Sequence, residues 1–360
     1  MVLLPERSTP ELAYLQAKFA ALASYAVSAQ LLAEVLPLGR RLDPTVLRRQ
    51  VQATAHRLES ELGKEQGSFI DTCQRDRDAL PRPDLPITVG LDGGYMHSSE
   101  QSSRRDGWFE VIAGKAMPAN GKPTCFGYVQ TYDTKPKRRL FEVLNSHGMK
   151  ANQQITFVTD GGEDIRDLPR FLNPQAEHLL DWFHITMRIT VMTNMAKSLR
   201  TPASDPEALP GPRRDLAADV GKQFERLKWF LWHGNVFRAL QALDGLILDL
   251  DIESHGPEQR KLAKMAQEFD TYIRANADRV PNYGERYRAG ETISSSFVES
   301  TVNQVISKRM VKKQQMRWTP RGAHLLLQVR TRVLNDQLAG DFHRWYPEFT
   351  HTTGRQALAA

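Results

Sequence analysis

The sequence predicts an α/β (α+β) protein in which a mixed β-sheet is flanked by helices, with an N-terminal helical region and an all-helical insertion. Short β-rich and helical runs follow one another in the order β-β-β-α-β-α-β between residues 87 and 185. That order combines a meander with crossover connections, which requires a mixed sheet. Helical patterns continue from about 185 to 295, a stretch too long for a structureless loop inside a compact domain.

Composition sets the class of protein. The chain has 360 residues, of which 41% are hydrophobic and 25% charged, as in soluble globular proteins with two or three cores. No apolar run approaches the roughly 18 residues that span a bilayer, and "MVLLPERSTPEL" lacks a signal-peptide core. We therefore expect a cytoplasmic location and no membrane partner. Cys73 and Cys125 lie in no metal-binding or disulfide spacing, so two reduced thiols are expected.

Residues 1–65 are predicted to be helical. Thr9-Pro10-Glu11 and Asp43-Pro44 are helix-start signals, and apolar residues recur at helical spacing after each. The last helix is rich in arginine, so the region fits a helix-turn-helix that binds DNA. A plain helical hairpin gives the same spacing and fits equally well. Residues 66–84 are predicted to be a linker, since a proline-rich stretch, Pro81, Pro83 and Pro86, begins near their end.

The predicted sheet lies in residues 85–200, the first part of the core. Two helices, "PKRRLFEVLNSHG" and "GEDIRDLPRFL", are expected between its strands. The strands are predicted at Ile87 to Leu91, Trp108 to Ala116, Cys125 to Tyr132, Ile155 to Thr159 and within "AEHLLDWFHI". Residues 201–290 are predicted to be the helical insertion, 291–340 the returning core helices and 341–360 a tail.

An apolar run ends in Asp-Gly-Gly twice, which places Asp92 and Asp160 at or near strand ends. Asp-Gly is also a hairpin signal, and the first copy does lead toward another strand. The second copy continues as a predicted helix and does not fit a hairpin. A phosphate-binding loop is a weaker alternative, because neither the Gly-Lys-Ser/Thr nor the GxGxxG spacing follows.

Two carboxylates that converge at one sheet edge repel each other, and hard divalent cations with oxygen ligands relieve that repulsion. Two-metal phosphoryl-transfer sites generally use a third acidic ligand. Glu299 fits, because it lies on a predicted helix with Asn303 one turn away. Glu291 is the competing choice, nearer the loop "NYGERYRAG".

A basic segment follows Glu299. The net charge is +6, and the stretch from Ser300 to Asn335 contains no Asp or Glu. A segment of one sign suits a polyanion such as DNA or RNA, whereas a solvated helix face usually mixes signs. Its cations are Lys308, Arg309, Lys312, Lys313, Arg317, Arg321, Arg330 and Arg332.

Several stretches in order resemble RNase H-like DDE transposases and, more specifically, insertion-sequence transposases of the ISKra type. These stretches are "TVGLDGGYMHS", "FVTDGGEDIR", "LLDWFHITMRI" and "SSSFVESTVNQVISKRMVKKQQMRWTPRGAHLLLQVRTRVLN". The resemblance covers roughly residues 85 to 340, and the N-terminal helices are similar to those that precede the catalytic domain in that family.

The resemblance implies that Asp92, Asp160 and Glu299 bind two Mg²⁺ ions, for which Mn²⁺ can substitute. It also implies an accessory role for Asp181 and His184, which match an Asp-x-x-His motif, although a structural histidine is an equal alternative. The implied partners are DNA, as element ends and target, and further copies of the chain on that DNA. The cations expected to bind the DNA backbone are Lys308, Arg309, Lys312, Lys313 and Arg317.

The implied activity is metal-dependent DNA cleavage followed by strand transfer. Two alternatives remain open: an RNase H-like nuclease without strand transfer, and an inactive DNA-binding remnant or regulator. Trp229 and Trp232 could stack on an unpaired base, but their i, i+3 spacing is more typical of a helix core.

Overall fold

The computed structural model describes residues 8–37, 42–69, 73–81, 86–100, 107–162, 176–199, 216–252, 256–311 and 316–350. The strands are β1 (Ile87–His97), β2 (Trp108–Pro118), β3 (Thr124–Val129), β4 (Ile155–Thr159) and β5 (Glu177–Leu180). In these described ranges, no helix is both long and apolar enough to cross a membrane.

The helices lie before, between and after the strands. They are α1 (Pro10–Leu22), α2 (Tyr25–Val35), α3 (Pro44–Glu61), α4 (Gln74–Asp78), α5 (Pro136–Ser146), α6 (Trp182–Ala196), α7 (Leu216–Trp232), α8 (Val236–Ile252), α9 (Pro257–Ala275), α10 (Tyr283–Arg288), α11 (Ser296–Val302), α12 (Lys308–Met310), α13 (Pro320–Leu334) and α14 (Leu338–Trp345). A 3₁₀ turn spans Ala277–Arg279, and a π-helical turn spans Asn303–Ser307.

The strands form one mixed sheet in the order β3-β2-β1-β4-β5. β1 pairs with β2, and β2 with β3, in antiparallel register, whereas β4 and β5 are parallel. The predicted mixed sheet flanked by helices is therefore confirmed. The predicted helix "GEDIRDLPRFL" falls almost wholly on residues 163–175, outside the described residues.

One prediction about β1 is wrong: Asp92 does not lie near a strand end. The strand continues through the first Asp-Gly-Gly to His97, and Asp92 lies opposite Ala113 in its middle. The following Gly93 and Gly94 keep extended pairing with β2, so this copy forms no turn. Asp160, by contrast, comes directly after β4 as predicted.

The chain divides into two compact units. The first contains Met1–Ile155, Asp167–Ala176 and Phe297–Ala360, and the second contains Thr156–Arg166 and Glu177–Ser296. Each unit has its own hydrophobic core. In the second unit, α6, α7, α8 and α9 pack around large side chains such as Phe224, Phe269 and Tyr283.

The N-terminal helices share the core of the first unit. α1 begins at Thr9, whose hydroxyl accepts the Leu12 N–H, and its buried face is mostly alanine, which lets it approach α3 and α13 closely. Its C-terminal carbonyls accept hydrogen bonds from two buried arginines, Arg309 to Ala20 and Arg330 to Ala21. Cations at a helix C-terminus offset the negative end of the helix dipole, so part of the basic segment stabilises this packing.

The two tryptophans of α7 differ in burial. Trp229 is 59% exposed, and its ring lies near those of Phe230, on the same helix, and His233, just beyond the end of that helix, so its predicted core position is wrong. Trp232 packs against the second core, with its ring centroid 5.0 Å from that of Trp182. For Trp232 the core position is confirmed.

Candidate active site

β1 places Asp92 under a helix. Residues two apart on a strand share a face, so Asp92 lies on the same face as Gly90 and Gly94. A Cβ at Gly90 would lie 2.0 Å from Val298 Cγ2, and one at Gly94 would lie 3.0 Å from Ile306 Cδ1. The absence of side chains at both glycines therefore lets α11 and the π-helical turn lie directly on β1, beside Asp92.

Glu299 belongs to that same packing. It follows Val298 on α11, is exposed, and has no hydrogen-bond or ion-pair partner among the described residues. The helical residues on either side of Glu299, Val298 and Val302, therefore lie against β1 at Gly90 and Gly94, which are on either side of Asp92. Glu291 lies in the second unit, where it pairs with Arg286 at 2.7 Å. Glu291 therefore already has a charge partner, whereas the Glu299 side chain has none among the described residues.

Substitution at Gly90 tests this close packing. Gly90→Ala is expected to destabilise the protein by about 1 to 3 kcal/mol, because the added methyl group must displace Val298 or the ring of Phe297. Gly245→Ala is the matched control: Gly245 lies inside α8 with open space at its Cβ position, so a gain of about 0.5 to 1 kcal/mol is expected. Urea denaturation measures both, and equal effects would contradict the packing described for β1.

Asp160 lies in the second unit, on a turn closed by its own side chain. Its Oδ1 accepts the N–H of Gly162 at 3.0 Å, and its backbone carbonyl accepts the Tyr272 hydroxyl at 2.9 Å. Gly161 has φ of 82°, in the left-handed region that favours glycine. A Cβ there would also lie 2.7 Å from Asn276 Oδ1. The second Asp-Gly-Gly is therefore a fixed turn, unlike the first.

Arg188, on α6, contributes a positive charge near this turn that sequence reasoning missed. Its guanidinium carbon lies 4.1 Å from the centre of the Tyr272 ring. Burial raises the pKa of the Tyr272 hydroxyl; the charge of Arg188 opposes this rise, whereas those of Asp160 and Asp181 add to it. Nothing in the sequence pairs Arg188 with Tyr272, because the contact depends on how α6 packs on α9.

Asp181 is an anchor within the second unit. It is fully buried at the N-cap of α6, where Oδ1 accepts the N–H groups of Phe183 at 2.8 Å and Ser295 at 3.0 Å. Its Oδ2 accepts the Ser295 hydroxyl. His184 Nε2 lies 3.6 Å from Oδ2, beyond hydrogen-bond length, and has no hydrogen-bond partner among the described residues. Asp181 thereby fixes the chain four positions before Glu299.

The basic segment has two kinds of cation. Lys308 and Arg317 are exposed. Arg309 is only 3% exposed, and its guanidinium carbon lies 5.2 Å from the ring centre of Tyr25 and 5.5 Å from that of Trp318. Lys312 and Lys313 lie outside the described residues. Of the described cations predicted to bind DNA, only Lys308 and Arg317 thus present their charge on the surface.

A second group of metal-type ligands lies in the first unit, away from β1. Ligand atoms of Glu59, Asp133 and His324 lie within 4.8 Å of one another. The guanidinium of Arg139 donates to Asp133 at 2.9 Å and to Glu59 at 3.1 Å, and lies 3.4 Å from His324 Nε2. Because Arg139 already supplies the positive charge, this group is an ion-pair network that joins α3, α5 and α13.

No protein-family model and no curated protein matches the sequence. Among solved structures, the chain is similar to the Drosophila P element transposase strand transfer complex, with a TM-score of 0.38 and 10% identity over 93% of this chain and 94% of that chain. A TM-score of this size carries no functional argument, so function rests on the residues themselves.

Proposed function

We propose that the chain is a DDE transposase of the ISKra type, which cuts DNA and joins a DNA 3′-hydroxyl to a target strand. The observation that supports this proposal is the close packing of α11 and the π-helical turn on β1, with Val298 against Gly90 and Ile306 against Gly94, on either side of Asp92. The two glycines beside Asp92 leave room for that contact, and Glu299 makes no competing ion pair among the described residues. The resemblance of the sequence to ISKra-type transposases adds Asp160 as the third carboxylate.

These residues fit a divalent metal. Mg²⁺ prefers oxygen ligands such as carboxylates. The carboxylate of Glu299 is exposed, so a metal bound to it could also reach a substrate phosphate. Asp92, Asp160 and Glu299 would hold two Mg²⁺ ions. When bound, those ions would supply Lewis-acid stabilisation of charge at the scissile phosphate.

The chain's own residues orient the site. Asp181 fixes Ser295 just before Glu299, and the turn at Gly161 sets the direction of Asp160. Lys308 and Arg317 would bind the DNA backbone through charge alone, so this binding is expected to weaken as salt rises. In each reaction a bond forms from the attacking oxygen to phosphorus, while the bond from phosphorus to the leaving oxygen breaks.

An excision assay in cells tests the proposal. A marker is flanked by the DNA found on either side of this gene, and wild type is compared with Asp160→Asn. Excision by wild type and none by the variant is the expected result, because the amide removes the charge that a metal ligand needs. Excision that persists in Asp160→Asn would show that Asp160 is not one of the metal ligands.

Product analysis with the purified protein separates the other readings. DNA ends joined to a target in the presence of Mg²⁺ are expected of a transposase. Hydrolysed ends alone would indicate a nuclease without strand transfer. A DNA-binding regulator would bind DNA equally well with and without Mg²⁺, and equally well after substitution of the three carboxylates, and would give no cleaved product.

A further inference from the structure

A positively charged pocket lies in the first unit, where α2 and α3 meet residues 316–322. Its volume is about 400 Å³, large enough for a phosphate together with its sugar. Among the described residues that line it there is no Asp or Glu. Its charged and aromatic lining consists of Tyr25, Arg48, Arg309, Arg317 and Trp318.

Arg309 is a buried side chain of this pocket whose hydrogen-bond donors are only partly satisfied. Its Nε donates to the Ala20 carbonyl at 2.9 Å, but Nη1 and Nη2 are buried without any hydrogen-bond partner in the described part of the chain. Burial lowers its pKa, since a desolvated cation is unfavourable without acceptors. The buried charge of Arg309 adds to the positive potential of the pocket, and an anion bound there would offset it.

Two helix N-termini add to the positive potential. α2, of 11 residues, begins after the N-cap Ser24, and α13, of 15 residues, begins after the N-cap Thr319. Both cap residues line the pocket. The positive ends of two helix dipoles therefore face the same space, as in many sites that bind phosphate through backbone N–H groups.

We propose that this pocket binds a phosphate group of the DNA backbone at a distance from the cleavage site. The inference rests on the proposed function, because it takes DNA as the ligand. β1 links the two places: its ladder is extended at Ser98 by a bridge to Trp318, whose neighbours Arg317 and Thr319 line the pocket. The six residues from Asp92 to Ser98 span roughly 20 Å of strand, so the phosphate held here is not the one that is cut.

Salt-dependent DNA binding tests the pocket. Binding of a labelled DNA duplex of mixed sequence is measured in EDTA, which prevents cleavage, over a range of salt concentrations. Arg48→Gln and Arg317→Gln change exposed side chains, so they should fold. Each is expected to weaken binding about tenfold and to lower the slope of log Kd against log salt by about 0.9.

Arg49→Gln is the matched control, because Arg49 is the exposed neighbour of Arg48 on α3 but does not line the pocket. It is expected to keep the wild-type salt slope. Equal slopes for Arg48→Gln, Arg317→Gln and Arg49→Gln would overturn the proposal. DNA binding is measured without cleavage, so the two proposals can fail separately. A wild-type protein that shows the predicted salt slopes but never cuts DNA would refute the proposed transposase function and leave the pocket proposal standing.

Inorganic phosphate distinguishes DNA from a free anion. Thermal unfolding is measured in phosphate and in chloride at equal ionic strength, for wild type and the Arg48→Gln/Arg317→Gln double variant. Phosphate is expected to stabilise wild type more than the double variant, in step with the loss of DNA affinity. Stabilisation by phosphate together with an unchanged DNA salt slope would assign the pocket to a free anion and overturn the DNA assignment.

Discussion

Replacement of Glu299 by glutamine is expected to abolish metal-dependent DNA cleavage while DNA binding stays intact. Glutamine keeps the size of the side chain and removes only its charge, and the exposed Glu299 stabilises no ion pair among the described residues. Stabilisation of phosphate charge by divalent ions is worth several kcal/mol, so a rate loss of about 10³-fold or more is expected. Asp92→Asn is expected to have the same effect.

Glu291→Gln provides the control for this experiment. Glu291 is also exposed and close in sequence, but it pairs with Arg286, so its variant should cleave at nearly the wild-type rate. A second readout does not depend on cleavage: the electron paramagnetic resonance signal of free Mn²⁺ should fall on addition of wild type and fall less with Glu299→Gln. Wild-type levels of cleavage and Mn²⁺ binding in Glu299→Gln would show that Glu299 is not a metal ligand.

Arg139→Met is expected to cost about 3 to 5 kcal/mol of stability, the largest structural effect that we predict. Arg139 is buried and forms hydrogen bonds with Asp133, Glu59 and Gln328. Methionine fills similar space but leaves two carboxylates without their cation. Urea denaturation measures the loss, and hydrogen exchange should place it at α3 and α13, which the network joins.

Arg274→Met is the matched control. Arg274 also pairs with two carboxylates, Asp244 and Asp270, but at the solvent-exposed surface of the helical unit, where water replaces the lost contacts. Its variant is expected to unfold close to the wild-type urea midpoint. Equal losses for Arg139→Met and Arg274→Met would show that burial of the network contributes nothing.

The same network gives stability a predicted pH dependence. Burial alone would raise the pKa of Glu59, but the hydrogen bond from His324 and the charge of Arg139 outweigh burial and lower the pKa below its ordinary value of 4.5. A lowered carboxylate pKa contributes stability above the unfolded pKa and loses it as pH falls through the folded one. In Arg139→Met this loss of stability on acidification should therefore be smaller than in wild type.

Local patterns predicted that the five strands exist and their order along the chain, although β1 continues six residues beyond its predicted end. β4 begins and ends where its predicted strand does, and α5 begins at Pro136, the first residue of its predicted helical run. The two Asp-Gly-Gly copies show the limit of such patterns. The same Asp-Gly-Gly sequence forms an extended strand at Gly93 and Gly94 but a left-handed turn at Gly161. The first copy is paired along β2, whereas the Tyr272 hydroxyl and the Asp160 side chain hold the second.

The sequence by itself determined the class of fold, the positions of Asp160 and Glu299 relative to their strand and helix, and the single sign of charge after Ser300. Only the tertiary structure decided what each of those charges does. Arg309 and Arg330 bind the end of α1, and Arg309 also lines an open pocket in which the charge of Arg317 is exposed. The reason is physical: periodicity and charge are local properties of a segment, but burial and partners depend on contacts between residues far apart in the chain.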